Sequence, residues 1–359
     1  MVKLGDLCTK SSSNIAQKYL ENCDGEYPIY GASGFIKNVN FYKQEHPYVA
    51  VVKDGAGVGR VMKLPEKSSV IGTMQYIIPN NDTDVSYLAY AMEYMDLAKY
   101  CSGATIPHIY FKDYCNEILA EHSPSEQENI AAVLDKVTNL IAKQKRQIEL
   151  LDELVKARFV EMFGSIHNSN IYPYFAVKEL NDVVSGGTPS RDKNEYWDNG
   201  TIPWVKTTEL QNNVITEVEE NITELGLLES SAKIVPAGTI LIAMYGQGKT
   251  RGMTGYLGIK ASTNQACACI IPSEKINSIF MWKYFEFSYD KLRNLAKGGN
   301  QPNLNSNIIK NFPVLVPPIS MQKEFVHFVK QTDKSKSQMQ KSLEQLETLK
   351  KALMQKYFG

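Results

Sequence analysis

The sequence predicts an α+β fold in which one plan is used twice: a globular domain with a β-rich core, then a long helix, then the same again. Three observations predict it. Ser102–Gly164 aligns without a gap on Lys297–Gly359, at an offset of 195 residues, placing Gly103 on Gly298, Pro107 on Pro302, Gln127 on Gln322, Leu151 on Leu346 and Phe163-Gly164 on Phe358-Gly359. Weaker echoes lie upstream, Leu4-Gly5-Asp6 against Leu180-Asn181-Asp182 and Gly55-Ala56-Gly57 against Gly246-Gln247-Gly248. Heptad-patterned segments alternate with segments rich in Gly, Tyr, Val and Ile. The period is too long for a solenoid, so the repeat is a whole domain plus its helix. Two such units make a pseudo-two-fold object, suited to a target that has two halves.

Residues 1–122 form the first domain. Short alternating runs such as Tyr48-Val49-Ala50-Val51-Val52 and Ser69-Val70-Ile71-Gly72 are separated by turn signals, with a helical patch over Val85–Tyr100. Residues 123–164 form the first long helix. Ser125–Phe163 has no Gly or Pro, and Ser125-Glu126-Gln127-Glu128 supplies a cap and early acids. Ile130, Leu134, Val137, Ile141, Gln144, Ile148, Leu151 and Val155 then step by four and three, a coiled-coil seam that Gly164 terminates. A polar linker opens residues 165–317, the second domain, where Gly238–Ala243 reads as a strand and Phe280–Asn294 as a helix. Pro317-Pro318 starts the last helix, residues 318–359, with seam residues Phe325, Val329, Met339, Leu343, Leu346 and Leu353. Thr332 and Lys336 interrupt that seam. Each helix is the natural partner of the other, since a lone apolar stripe is unstable. Related by a two-fold they run antiparallel, and about 36 residues at 1.5 Å each span roughly 55 Å. The domains would then sit one to one and a half DNA turns apart.

A chain of 359 residues, 43% hydrophobic, can bury two modest cores. No apolar run reaches the length of a membrane span and Met1–Asp6 has no signal-peptide character, which points to the cytoplasm. The six cysteines show no disulfide-framework spacing, and Cys267-Ala268-Cys269 reads as strand positions. The zero net charge resolves into about −3 for Met1–Pro124, −1 for Ser125–Gly164, 0 for Ser165–Pro317 and +4 for Pro318–Gly359. A DNA-binding face must therefore come from local segregation of charge.

Ala243–Thr250 matches a relaxed phosphate-loop pattern, but Arg251–Tyr256 is a poor helix start and the echo in the first domain lacks the Lys-Thr. A Gly-rich hairpin approaching a phosphate backbone through its amides is the better reading. The five histidines fit no metal spacing, no nucleophile elbow is present, and no cofactor is expected in the chain itself. What remains is a set of polar, basic and aromatic loop residues: Tyr30, Ser33, Lys37, Lys53, Arg60 and Gln75 in the first domain, and Ser190, Arg191, Trp204, Lys206, Lys249, Arg251 and Gln265 in the second. Arg and Lys suit guanine edges or phosphates, and Gln suits adenine. Taken singly, most of these read better as solvated surface, and Tyr30 and Trp204 as core or rim; taken together, they read as a functional set.

Several patterns resemble the specificity subunits of type I restriction–modification systems. These are Lys3-Leu4-Gly5-Asp6-Leu7, Tyr27–Gly34, Ser185–Ser190 followed by Glu195-Tyr196-Trp197 and Ile202–Lys206, and the Pro124-x-x-Gln127 and Pro318-x-x-x-Gln322 entries to the long helices. The resemblance covers essentially the whole chain and implies a non-catalytic reader of double-stranded DNA. Two target-recognition domains, in a circular arrangement, each read one half of an asymmetric split target, and the paired helices set the gap. The resemblance also implies two modification subunits that use S-adenosylmethionine to methylate adenine N6, joined by motor-nuclease restriction subunits that use ATP and Mg²⁺. Two other readings are a coiled-coil protein-interaction scaffold and a nucleotide-binding enzyme built on Ala243–Thr250.

Overall fold

The structure, a computed structural model, describes residues 1–103, 107–246, 248–296 and 303–359. Gln247, Lys297, Gly298 and Pro302, which take part in the repeat, lie outside the described residues. Four helices organise the chain: α1 (Val85–Tyr94), α2 (Pro124–Phe163), α3 (Ser278–Phe287) and α4 (Ile319–Phe358). Two compact units result, and each takes a piece of both long helices: Met1–Ile148 with Gln338–Gly359, and Glu149–Ser337.

In the first unit, strands β1 (Cys8–Ser12), β2 (Tyr27–Gly31), β3 (Gly34–Val39), β4 (Tyr48–Val52), β5 (Val61–Leu64), β6 (Ser69–Val70) and β7 (Met74–Pro79) make two sheets. One runs β1-β7-β4-β5, all antiparallel; the other runs β3-β2-β6, with β2 and β6 parallel. The second unit repeats this with β8 (Val183–Ser185), β9 (Ile202–Val205), β10 (Asn213–Ile215), β11 (Glu220–Ile222), β12 (Ile240–Ala243), β13 (Thr254–Leu257), β14 (Ser262–Thr263) and β15 (Cys267–Ile270). Its larger sheet runs β8-β15-β12-β13 and gains β10, parallel to β13, while β11-β9-β14 again has a parallel pair. Cys267 and Cys269 are buried on β15, and burial pushes the Cys269 thiol up to about 11, so neither is a reactive thiolate.

The long helices contribute to the two cores at repeated positions. In the first unit Ile130, Ala131 and Leu134 from the start of α2 join Met354 and Phe358 from the end of α4, all packed under α1. In the second, Phe325, Val326 and Val329 from the start of α4 join Phe159 and Phe163 from the end of α2, packed under α3. Every one of these pairs is 195 residues apart. Each unit thus holds its two helix segments antiparallel. Interhelical ion pairs include Lys145–Glu347 at 2.8 Å in the first, and Arg158–Glu324 at 2.9 Å with Lys336–Asp152 at 2.6 Å in the second.

Gln127 and Gln322 fasten each domain to its helix, which explains their place in the repeat. Gln127, buried, accepts from the backbone N–H of Asp84 and donates to the His122 carbonyl. Gln322 accepts from the N–H of Asn277 and donates to the Pro317 carbonyl. Asp84 and Asn277 are the N-caps of α1 and α3, so one amide side chain joins two helix starts without leaving a buried polar atom unpaired.

The structure corrects several expectations. The cap of α2 is Ser123, two residues earlier than Ser125: its N–H and hydroxyl both donate to Glu126, and Pro124 takes the first helical position, where no N–H is needed. Leu4-Gly5-Asp6 does not correspond to Leu180-Asn181-Asp182. Lys3 N–H donates to Asp6 as Ala176 N–H donates to Glu179, so Leu7 is the counterpart of Leu180. The single helix expected over Phe280–Asn294 breaks at Ser288, whose hydroxyl turns back onto the Tyr284 carbonyl. The helical patch over Val85–Tyr100 is likewise broken after Tyr94, with Asp96 in the left-handed region at φ 48°, and resumes as a 3₁₀ turn over Leu97–Tyr100. Gly164 does terminate α2, at φ 79°. Among the seam residues Ile130, Leu134, Val137, Val155, Phe325, Val329 and Leu343 are buried, and Ile141, Ile148, Leu151, Met339, Leu346 and Leu353 are half-buried.

Candidate nucleic-acid interface

In the first unit the hairpin joining β4 to β5 carries Lys53 and Arg60 on either side of Gly55, Gly57 and Gly59, all with φ near +86°. A Cβ on Gly59 would lie 2.6 Å from the Ala98 nitrogen, so this turn requires glycine twice over. The N–H groups of Lys53 and Asp54 donate to the Thr73 carbonyl, and Ile109 N–H donates to that of Lys53. Arg60 reaches across the unit to donate to the Ala32 carbonyl at 2.8 Å, in the turn between β2 and β3. That contact brings Arg60 together with Ser33, which is exposed, and with Tyr30, whose ring meets the exposed Phe35 edge-on. Lys53 pairs with Asp54 at 3.3 Å. Lys37 is turned to structural use, bonding Asp24 and the Leu20 carbonyl. Gln75 is buried and accepts from the Tyr114 hydroxyl, so it is not presented to a ligand.

In the second unit the corresponding hairpin joins β12 to β13 antiparallel, so among the described residues of Ala243–Thr250 no helix opens and the phosphate-loop reading has no support there. Main-chain bonds repeat the first unit: Met244 N–H donates to the Ala266 carbonyl and Leu304 N–H to that of Met244. Here the hairpin is held from outside. Arg293 donates to the carbonyls of Arg251 and Gly248 at 2.7 and 2.9 Å, and the Tyr289 hydroxyl donates to that of Lys249 at 2.6 Å. Lys249 is exposed and Arg251 half-buried.

A second cluster surrounds Glu220. Arg191 pairs with Glu220 at 2.6 Å and lies over Trp197, 3.6 Å from the ring centroid, with Trp204 at 5.0 Å. Lys206 bonds Glu219 and Glu220 at 2.7 and 2.9 Å. Burial pushes the Glu220 carboxyl up, but the hydrogen bonds from Lys206 and Arg191 outweigh it and hold the group below its ordinary range. Trp197 Nε1 donates to the Ser190 carbonyl, fixing the start of the loop. Trp204 is buried, donates to the Gly187 carbonyl and forms the wall behind Arg191. Gly186 and Gly187 are required because a Cβ would fall within 2.4 Å of the Thr263–Asn264 and Ser231–Ala232 main chains. That close approach lets Thr188 donate to the exposed Gln265.

Carboxylates thus orient Lys53, Arg191 and Lys206, while a main-chain carbonyl orients Arg60. Phe35, Glu220, Tyr289 and Arg293 join these clusters without having stood among the candidates of the sequence analysis. Trp197 sits in the Glu195-Tyr196-Trp197 pattern, where its spacing from Arg191 could have been noticed. Among the described residues no group of His, Cys, Asp and Glu is arranged to hold a metal ion, and no helix is long and apolar enough to cross a membrane.

The family described as "Type I restriction modification DNA specificity domain" matches residues 1–151 and 172–348. The chain is 26% identical to the Escherichia coli type I restriction enzyme EcoR124I/EcoR124II specificity subunit, over 59% of this chain and 53% of that protein, so it spans about half the length of that relative. It is 25% identical to the MjaVIII specificity subunit of Methanocaldococcus jannaschii, over 93% of this chain and 85% of that one. Among solved structures, the S subunit of a type I restriction–modification system from M. genitalium has the same fold. Its TM-score is 0.64 at 16% identity, covering 100% of this chain and 95% of that one.

Proposed function

The chain belongs to the type I restriction modification DNA specificity domain family, and on that premise we propose that it is the sequence-reading subunit of a type I restriction–modification complex. Each globular domain reads one half of a bipartite double-stranded DNA target, and the two long helices set the gap. The chain itself performs no chemistry. Modification subunits docked on it supply S-adenosylmethionine and methylate adenine N6, and motor-nuclease subunits supply the ATP- and Mg²⁺-dependent cleavage. The compartment is the cytoplasm. One observation carries the reading: two units share topology and core down to residues 195 apart, yet differ in the loops that carry Lys53 and Arg60, or Arg191, Lys206, Lys249 and Arg251. Equal scaffolds with unequal loops suit two different half-sites, hence an asymmetric target. Docking of the modification subunits is supported by apolar side chains left exposed along α2: Val133 and Leu140 in the first unit, Leu150 and Leu154 in the second.

The deciding experiment is mapping of N6-methyladenine by single-molecule sequencing in cells expressing the chain with its modification subunit. The expected result is a split motif with a fixed gap. An assembled complex that leaves no such motif would move the reading to a protein-interaction scaffold. Within that assay, Arg191→Ala is expected to relax one position of the half-site read by the second unit, at a cost of about 1–3 kcal/mol of discrimination, and to leave the other half-site unchanged. Equal loss at both half-sites would show that Arg191 supports the fold and does not read bases.

A further inference from the structure

We propose that the Lys336–Asp152 pair is the register lock of the helix pair in the second unit, and that through the register it fixes the gap between half-sites that the protein accepts. The clause about the gap rests on the DNA-reading function proposed above; the lock itself does not.

The seam of α4 in this unit begins with Phe325 and Val329, both fully buried. Thr332 follows, with its hydroxyl turned back onto the Phe328 carbonyl, and then Lys336, where the 195-residue offset in the first unit falls on Ile141. An apolar residue there would accept several registers, because any residue one heptad along the seam is an equivalent neighbour. Lys336 accepts one: its ammonium donates to both carboxylate oxygens of Asp152, at 2.7 and 2.6 Å. A slip of one heptad keeps apolar residues in the seam but carries Lys336 from Asp152 to Lys145 or to Phe159. The first alternative sets like charges together. The second drives an ammonium toward the aromatic core.

The pair is 37% and 54% exposed, so in its own register it adds little to stability. Its effect lies in what the other registers cost, the best-attested use of a polar residue at a helix–helix seam. The surroundings strengthen that asymmetry. Lys283 on α3, nearly buried, pairs with Glu286 at 2.8 Å. Burial pushes the carboxyls of Glu286 and Asp333 above their ordinary range, against the opposing pull of Lys283 and Lys336. Two lysines thus serve three carboxylates, and any register that removes Lys336 leaves the acids worse matched.

The test compares the wild type with D152L/K336L, which makes an all-apolar seam at this point, and with the charge-reversed D152K/K336D. Spin labels carried by an unnatural amino acid at the exposed positions 160 and 334 report the register of the two helices. Methylation of DNA substrates with gaps three base pairs shorter or longer than the native one, by the complex with its modification subunit, reports the gap. The leucine variant is expected to stay folded, to show a second distance population, and to discriminate between gaps at least tenfold less well. The reversed pair is expected to restore a single population and the native gap. A single population in D152L/K336L, as in the wild type, overturns the lock. Two populations with an unchanged gap overturn its role in spacing. A wild type that methylates no split target overturns the DNA-reading function, and the label distances still decide the lock.

Discussion

Phe159→Ala is expected to destabilise the second unit by about 3–5 kcal/mol, a large share of the 5–15 kcal/mol that holds a typical domain folded. Phe159 is fully buried, and its ring contacts those of Phe163, Phe280, Tyr284, Phe287 and Phe325 at centroid distances of 5.0–6.1 Å. These rings come from α2, α3 and α4, so the truncation opens a cavity where three elements meet and none can collapse without disturbing the other two. The counterpart in the first unit, 195 residues on, is Met354, a flexible side chain in the cluster that also holds Tyr87 and Phe358. Met354→Ala should cost less, about 2–3 kcal/mol. Denaturant unfolding followed by probes in each unit checks both values. A loss below about 1 kcal/mol for Phe159→Ala would mean that this ring is not the centre of the core.

Removing one heptad from each long helix, Ala142–Ile148 and Met339–Gln345, is expected to abolish methylation at the native target and move it to one with a shorter gap. The two segments face each other in the first unit, where Gln144 donates to the Met339 carbonyl. Seven residues take about 10 Å from each helix and turn it only about 20° off the seam, so the pairing survives. In B-DNA 10 Å is about three base pairs, and three base pairs also rotate one half-site by about 100° about the DNA axis. The new site should therefore be methylated more slowly than the native one, because DNA twist must absorb that rotation. Methylation mapping reads the result directly. Altered half-site letters, in place of an altered gap, would show that the helices are not passive spacers.

Much of the fold was legible because its signals are periodic or local. The heptad step of Ile130 to Val155 defines a helix whatever surrounds it, and Gly164 ends it through its own backbone freedom. The 195-residue repeat announced two units, and the core positions on both long helices obey it. The functional clusters were legible only as lists. Arg60 looked like one cation among several until its reach to Ala32 joined two loops. Gln75 and Trp204 have the right chemistry for DNA but the wrong place, since strand pleat and packing turn both inward. Lys336 read as a flaw in the seam, because its meaning depends on Asp152, 184 residues away.

That the protein is a doubled domain-and-helix chain follows from the order of its residues, where duplication, heptads and helix stops are written. The tertiary structure alone decided that each unit completes its core with the start of one long helix and the end of the other. It also decided which cations are poised on carboxylates and which polar residues are buried. The physical reason is that helix periodicity arises from neighbours three and four residues apart. Burial, ion pairing and register are instead set by partners that only folding brings within a few ångströms.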